Sequence, residues 1–66
     1  MVVLSIAPPG LLEGLPAEDR GAVLQAIGRP IRFAGYDEDG RAELEFTDAS
    51  GVVHLIYVNP SVIRPA

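Results

Sequence analysis

Three side chains that handle protons or charge, Arg32, Glu45 and His54, fall on three successive segments of this 66-residue chain. A histidine oriented by a carboxylate is a common general base, so the trio raises the question of catalysis. Catalysis would also need a nucleophile, and the three serines stand in a strand, in a turn and after a proline, with no motif that places them beside the histidine. We therefore expect no enzymatic activity and interpret the trio as a polar row on a solvated sheet face. A contribution of this row to the site of a larger enzyme, with the chain as an accessory subunit, stays open.

The acidic stretch "DEDG" could hold a metal ion or turn a corner. Asp37, Asp39 and Gly40 match the third, fifth and sixth places of an EF-hand loop, which binds calcium through carboxylate oxygens. The first and twelfth places, which supply strong ligands, would be Gly35 and Phe46. The stretch therefore predicts a hairpin turn without a metal site, and weak calcium binding at the turn stays open.

Composition restricts the classes of partner. Nine acids against five arginines give a net charge of −4, which would repel a nucleic-acid backbone. There is no cysteine for a disulfide or a thiolate zinc site, and no nucleotide-binding motif is present. The apolar start of the chain has no basic flank and is soon interrupted by proline. We expect one domain over residues 1–66, cytoplasmic, with no cofactor, small-molecule ligand, nucleic acid or membrane.

Two elements precede the residues of the polar row. The β-branched run at 2–6 predicts a short strand. A helix is predicted over 16–27, because a proline suits its first turn, acids follow near its positive end, and Gly28 can form its C-terminal cap. Gly21 lowers helix propensity in the middle of this segment, so we expect packing to hold the helix and Gly21 to be a point of close contact.

From Pro30 the apolar period becomes two, which predicts a three-stranded meander over 30–36, 41–47 and 52–58. If four-residue loops join the strands, Tyr36 pairs with Arg41 and Thr47 pairs with Val52. One face of the sheet is then wholly apolar, and we expect it to be the core. Its large members are Ile31, Phe33, Leu44, Phe46, Val53 and Leu55, with Tyr57 at one end.

The opposite face of this predicted sheet mixes charge with apolar surface. The polar row of Arg32, Glu45 and His54 crosses it. Beside that row, an apolar patch with a charged rim is typical of association surfaces. The candidate interaction surface consists of Ala34, Tyr36, Arg41, Glu43, Ile56 and Val58. Coverage of this patch by the helix or the first strand is the alternative.

The tail carries a family resemblance. "NPSVIRPA" predicts a single 3₁₀ turn over 60–63 and a last extended stub. A meander, a 3₁₀ turn that begins with Pro-Ser and a brief final strand resemble the second half of a small SH3-like β-barrel, and this likeness covers residues 30–65. It implies a small, mainly β barrel. The helix predicted between the first and second strands is an addition to that pattern, and we expect it to lid one open end of the barrel. The chain lacks the tryptophan and the aromatic motif of peptide-binding SH3 domains, so the resemblance implies the architecture rather than a proline-binding groove.

Taken together, these features favour a small non-enzymatic module that binds a protein partner or associates with itself. Dimerisation would add buried surface that a chain of this size lacks.

Overall fold

The fold is mainly β with one helix. A computed structural model describes residues 1–8 and 10–66. Five strands form one antiparallel sheet in the order β4-β3-β2-β1-β5, and the sheet is not closed into a barrel. In chain order the elements are β1 (Val2–Leu4), a 3₁₀ turn (Leu12–Gly14), α1 (Ala17–Ala26), β2 (Pro30–Tyr36), β3 (Ala42–Thr47), β4 (Val53–Val58), a second 3₁₀ turn (Pro60–Val62) and β5 (Ile63–Pro65).

Helix α1 confirms the predicted segment to within about one residue at each end. Its first turn carries two acids, which interact favourably with the positive end of the helix dipole. Past its C-terminus Gly28 has φ 81°, and its N–H donates to the carbonyl of Leu4 at 3.0 Å. This bond ties the end of the helix to β1, so the helix lies across the sheet with Ala22, Val23 and Ala26 buried.

The prediction of a close contact at Gly21 is wrong. Apart from the nearby helix backbone and the adjoining residues, no heavy atom lies within 4 Å of the position that a Cβ on Gly21 would take, because this residue is on the exposed side of α1.

Both hairpins of the meander use the same turn, and it is shorter than predicted. The N–H of Asp37 donates to the carbonyl of Arg41, and that of Asp48 to the carbonyl of Val52, each at 2.9 Å. Three residues therefore form each loop, and the third is a glycine with positive φ, 78° at Gly40 and 84° at residue 51. A three-residue loop that ends in a left-handed glycine is a common hairpin connection. The leading aspartate of each turn consequently forms the hydrogen bond that closes the loop, directly after the end of the strand.

In the first hairpin, an irregularity in β2 compensates for the shorter loop. The pairing is irregular between Phe33 and Gly35, where one extra residue of β2 forms a β-bulge. On the side of the bulge away from the turn, Phe33 is opposite Leu44 as predicted. On the side next to the turn, Tyr36 is opposite Ala42 rather than Arg41. The core face of β2 is therefore preserved.

The second hairpin has no bulge, so its predicted register is wrong by one residue. Glu45 is opposite Leu55 instead of His54, and Phe46 is opposite His54. Because successive side chains of a strand point to opposite faces, a slip of one residue moves the whole of β4 to the other face. His54, Ile56 and Val58 are buried on the core face, while Val53, Leu55 and Tyr57 are exposed on the outer face.

The core lies between α1 and one face of the sheet. The prediction that Ile31, Leu44 and Phe46 are buried is confirmed, and Phe33 packs against them half-buried. The same prediction is wrong for Val53, Leu55 and Tyr57, which are exposed. The buried cluster consists of Leu4, Ala22, Val23, Ala26, Ile31, Ala42, Leu44, Phe46, Ile56 and Val58.

The tail matches the predicted order of a 3₁₀ turn followed by a short strand. The side-chain oxygen of Asn59 accepts a hydrogen bond from the N–H of Ser61 at 2.9 Å and caps the turn. β5 then pairs with β1, which brings the two ends of the chain together at one edge of the sheet. Within the described residues, no helix is both long and apolar enough to cross a membrane.

Candidate functional site

The predicted polar row is divided between the two faces of the sheet. Arg32 and Glu45 are opposite each other on the outer face, and Nη1 of the arginine lies 3.3 Å from Oε1 of the glutamate. His54 is on the core face because of the register of β4. The structure therefore brings together two members of the row and not the third.

His54 has two other carboxylate neighbours, one from the adjoining hairpin turn and one from the helix. Its Nε2 lies 2.8 Å from Oδ2 of Asp48 in the second hairpin turn. Its Nδ1 lies 3.3 Å from Oδ1 of Asp19 in the first turn of α1. The ring stacks on Phe46, with the centroids 5.3 Å apart and the planes at 18°. A polar ring is thus accommodated in the core because each nitrogen faces a carboxylate.

Asp48 connects the histidine to the turn. Its Oδ1 accepts hydrogen bonds from the N–H groups of Ser50 at 2.8 Å and Val52 at 3.0 Å, while Oδ2 faces His54. The hydrogen bond from His54, followed by the bond from Val52, lowers the pKa of Asp48 below its ordinary value of 3.8. An ionised Asp48 therefore stabilises the turn and the buried ring together.

This cluster has a structural rather than a chemical arrangement. A general base needs a nitrogen that can reach the proton of a substrate, directly or through one water. Both nitrogens of His54 face carboxylates and its ring is buried, so access from solvent is poor. A neutral imidazole has one N–H and an imidazolium has two, so protonation would let His54 donate to both carboxylates. The cluster links α1, the turn and β4.

The acids of the first hairpin close their own turn. Asp37 Oδ1 accepts hydrogen bonds from the N–H of Asp39 at 3.0 Å and of Arg41 at 2.8 Å. Its Oδ2 accepts a bond from Nε of Arg41 at 2.7 Å, and the bonds from Arg41 lower the pKa of Asp37 against an opposing effect of burial. In residues 1–8 and 10–66, no group of three or more histidine, aspartate and glutamate side chains is placed to hold a metal ion.

The predicted interaction surface is not a single surface. Ile56 and Val58 are 5% and 2% exposed and belong to the core, because the slip in register turned them inward. Tyr36 is exposed at the end of β2 next to the turn, and its ring lies edge-on to that of Phe33, with the ring centroids 5.1 Å apart. The other members are divided between this region and the outer face: Ala34 is exposed on β2, Glu43 is half-buried opposite Tyr57, and the guanidinium of Arg41 lies 5.4 Å from the centroid of the Tyr57 ring.

An exposed apolar row on β4 takes the place of that patch. Val53, Leu55 and Tyr57, which we call the β4 outer stripe, are 58%, 52% and 42% exposed. Glu45 and Glu43 of β3 lie opposite the last two members, so acids border the stripe on one side. Three neighbouring large apolar side chains with a charged border are typical of an association surface.

The β4 outer stripe lies on an open edge of the sheet. Among the described residues, β4 is paired with β3 alone. The bond between Asp48 and Val52 sets the alternation of the antiparallel ladder, so His54, Ile56 and Val58 direct their backbone groups toward β3. The N–H and C=O groups of the stripe residues consequently point to the open side.

The two edges of the sheet differ in how open they are to further pairing. β5 has three residues, which include Arg64 and Pro65. Short length, charge and proline are the features by which edge strands avoid pairing with other chains. β4 has six residues, "VHLIYV", with no acid, arginine, lysine or proline. Only the β4 edge lacks these protections.

The surface of the described residues also contains two grooves. The larger, of about 500 Å³, lies between α1 and strands β2 and β3, and Gln25, Arg29 and Glu45 are among its polar residues. The smaller, of about 270 Å³, is mainly apolar and is lined by Phe33, Tyr36 and residues of the tail. Neither groove contains a converging set of polar groups that identifies a ligand.

Sequence reasoning missed both partners of His54 and the outward position of the β4 stripe, although a signal for Asp48 and for the stripe was present. The two loops share the pattern Asp-x-x-Gly, at 37–40 and 48–51. This pattern fits a three-residue loop with a left-handed glycine as well as a four-residue loop. With the shorter loop, Asp48 stands beside His54 and the stripe faces outward.

The chain matches no protein-family model, and neither curated proteins nor solved structures give a match.

Proposed function

We propose that this chain is a small non-enzymatic protein-interaction module and that its partner binds at the β4 outer stripe and the adjoining open edge. The observation that carries this proposal is a six-residue edge strand that lacks acid, arginine, lysine and proline and has three exposed apolar side chains. A partner strand added at such an edge gains main-chain hydrogen bonds, and its alternate side chains contact the exposed row.

The position of the stripe on a well-supported element favours binding. Ile56 and Val58 anchor the opposite face of β4 in the core, and the buried ring of His54 connects the strand to α1 and to the turn. These contacts fix β4 within the chain itself, so binding of a partner does not have to order a flexible segment.

The accessory-subunit alternative has less support. It required Arg32, Glu45 and His54 on one surface, whereas the first two are on the outer face and the third is buried on the core face. A cytoplasmic location is part of the proposal, as is a relation to SH3-like folds. That relation is supported by the meander, the 3₁₀ turn at Pro60–Val62 and the pairing of β5 with β1.

Site-specific photocrosslinking in the cell that expresses the chain tests the proposal. A photoreactive residue replaces Leu55 in one variant and Leu24 in the control. Leu24 is a matched control because it is an exposed leucine on α1, 55% exposed against 52% for Leu55. We expect discrete protein adducts from position 55 and none of the same mass from position 24.

A competition experiment distinguishes specific adducts from nonspecific ones. Excess unlabelled chain should suppress the adducts of position 55, whereas excess chain with Leu55→Lys should not, because a lysine on an edge strand opposes pairing. Equal adducts from both positions, or none from position 55, would overturn the proposal.

A further inference from the structure

We infer that the partner at the β4 edge is a second copy of the same chain, paired antiparallel about a two-fold axis at Leu55. This inference rests on the proposed function, because it names the occupant of the same surface. The two copies would form one continuous ten-stranded sheet, with β4 next to its symmetry mate.

The backbone of β4 is self-complementary in this arrangement. The free N–H and C=O groups belong to residues 53, 55 and 57, which are spaced evenly about residue 55. Two-fold pairing places residue 55 opposite residue 55 of the other copy, and residue 53 opposite residue 57. Every free group in the stripe then meets a free group of the other copy, as an isologous interface requires.

The side chains agree with the same register. Paired residues of neighbouring strands share a face, so leucine meets leucine and Val53 meets Tyr57 across the axis. His54, Ile56 and Val58 remain on the core face of each copy, and no buried side chain changes its environment. A register shifted by one residue would set the apolar stripe opposite core-facing side chains.

Charge also favours a second copy at this edge over a face-to-face dimer. Each chain has a net charge of −4, but β4 itself contains no acid, arginine or lysine. In the paired sheet, Glu45 of one copy is three strand spacings, about 14 Å, from Glu45 of the other. This exceeds the Debye length of roughly 8 Å at physiological salt. Stacking the outer faces would instead bring the acids of both copies to the same interface.

The contact is small, so the dimer should be weak. A six-residue strand is about 20 Å long, and one such strip buries less than the roughly 1,200 Å² of a stable interface. We expect a dissociation constant on the order of 100 µM. Added salt should not weaken the association, since the interface contains no ion pair.

Amide hydrogen exchange of the purified chain, measured at low and high concentration, tests the register directly. Bonded pairs alternate along the ladder, so the amides of residues 54, 56 and 58 should be protected at both concentrations. The amides of Val53, Leu55 and Tyr57 should exchange faster in dilute solution. When nine-tenths of the chains are paired, they should slow by about tenfold.

Sedimentation equilibrium supplies the mass and the controls. The wild-type chain and Leu24→Lys should both approach the dimer mass at millimolar concentration, whereas Leu55→Lys should remain a monomer. Tyr57→Lys provides a second test if Leu55→Lys does not fold. A monomer at all concentrations, or a dimer without slowed exchange at the stripe, would overturn the inference. In the first case a specific adduct from position 55 in the cell would still support the proposed function, with a different protein as partner.

Discussion

The register of β4 determines which side chains are buried, and it can be tested by two substitutions at neighbouring positions. Ile56→Ala removes a buried side chain, and Leu55→Ala removes an exposed one. Both changes delete three carbon atoms from a strand residue. We expect Ile56→Ala to lower the free energy of unfolding substantially more than Leu55→Ala does.

The magnitudes follow from the exposure of each side chain. Deleting three buried carbons at about 0.8 kcal/mol each removes about 2.4 kcal/mol, and the remaining cavity brings the loss at Ile56 to about 2.5–4 kcal/mol. Leu55 is 52% exposed, so its truncation should cost at most about 1 kcal/mol. A domain of this size has a total stability of roughly 3–10 kcal/mol. Ile56→Val, with an expected loss of about 1 kcal/mol, therefore serves as a milder variant.

Urea unfolding followed by circular dichroism measures both losses. The chain should be held at a few micromolar, where the weak dimer inferred above has dissociated. The midpoints can be compared directly if the slopes of the transitions agree. A larger loss for Leu55→Ala than for Ile56→Ala would refute the register, and with it the assignment of the outer stripe.

Three further predictions concern the helix and the second hairpin turn. Gly21→Ala should raise the free energy of unfolding by about 0.5–1 kcal/mol, because an exposed helical glycine gains propensity and the added methyl meets no atom; a lower thermal midpoint would contradict this. Gly51→Ala should lower the same quantity by about 1–2 kcal/mol because φ is 84° there, and an unchanged urea midpoint would contradict it. Because folding lowers the pKa of Asp48, its contribution to stability is present above pH 3.8 and is lost as the pH falls through the lower, folded value. Asp48→Asn should therefore reduce the loss of unfolding free energy at acid pH, whereas Asp39→Asn should not. Equal pH profiles for the two variants would contradict the assignment.

The elements of this fold could be predicted because their signals are local. The helix has a proline at its start, acids in its first turn and Gly28 after its end, and these cues placed it to within about one residue. The change of apolar period at Pro30 likewise indicated three strands and two turns. Such signals depend on neighbouring residues, so no knowledge of the packed molecule is needed to interpret them.

The faces of β4 could not be assigned in the same way. The strand has large apolar residues at both sets of alternate positions: Val53, Leu55 and Tyr57 on one side, and Ile56 and Val58 on the other. The remaining position on that second side is His54, whose polarity favours solvent when the residue is considered alone. Alternation therefore indicated the wrong face.

The amino-acid sequence by itself determined the kind, order and approximate bounds of the helix and strands, because propensity, period and turn chemistry act over a few residues. Only the tertiary structure decided which face of β4 is buried. Asp19 from α1 and Asp48 from the turn approach the two nitrogens of His54, which allows that ring to enter the core. The contact with Asp19 joins residues far apart in the chain, and the buried ring leaves Leu55 and its neighbours facing outward on an open edge.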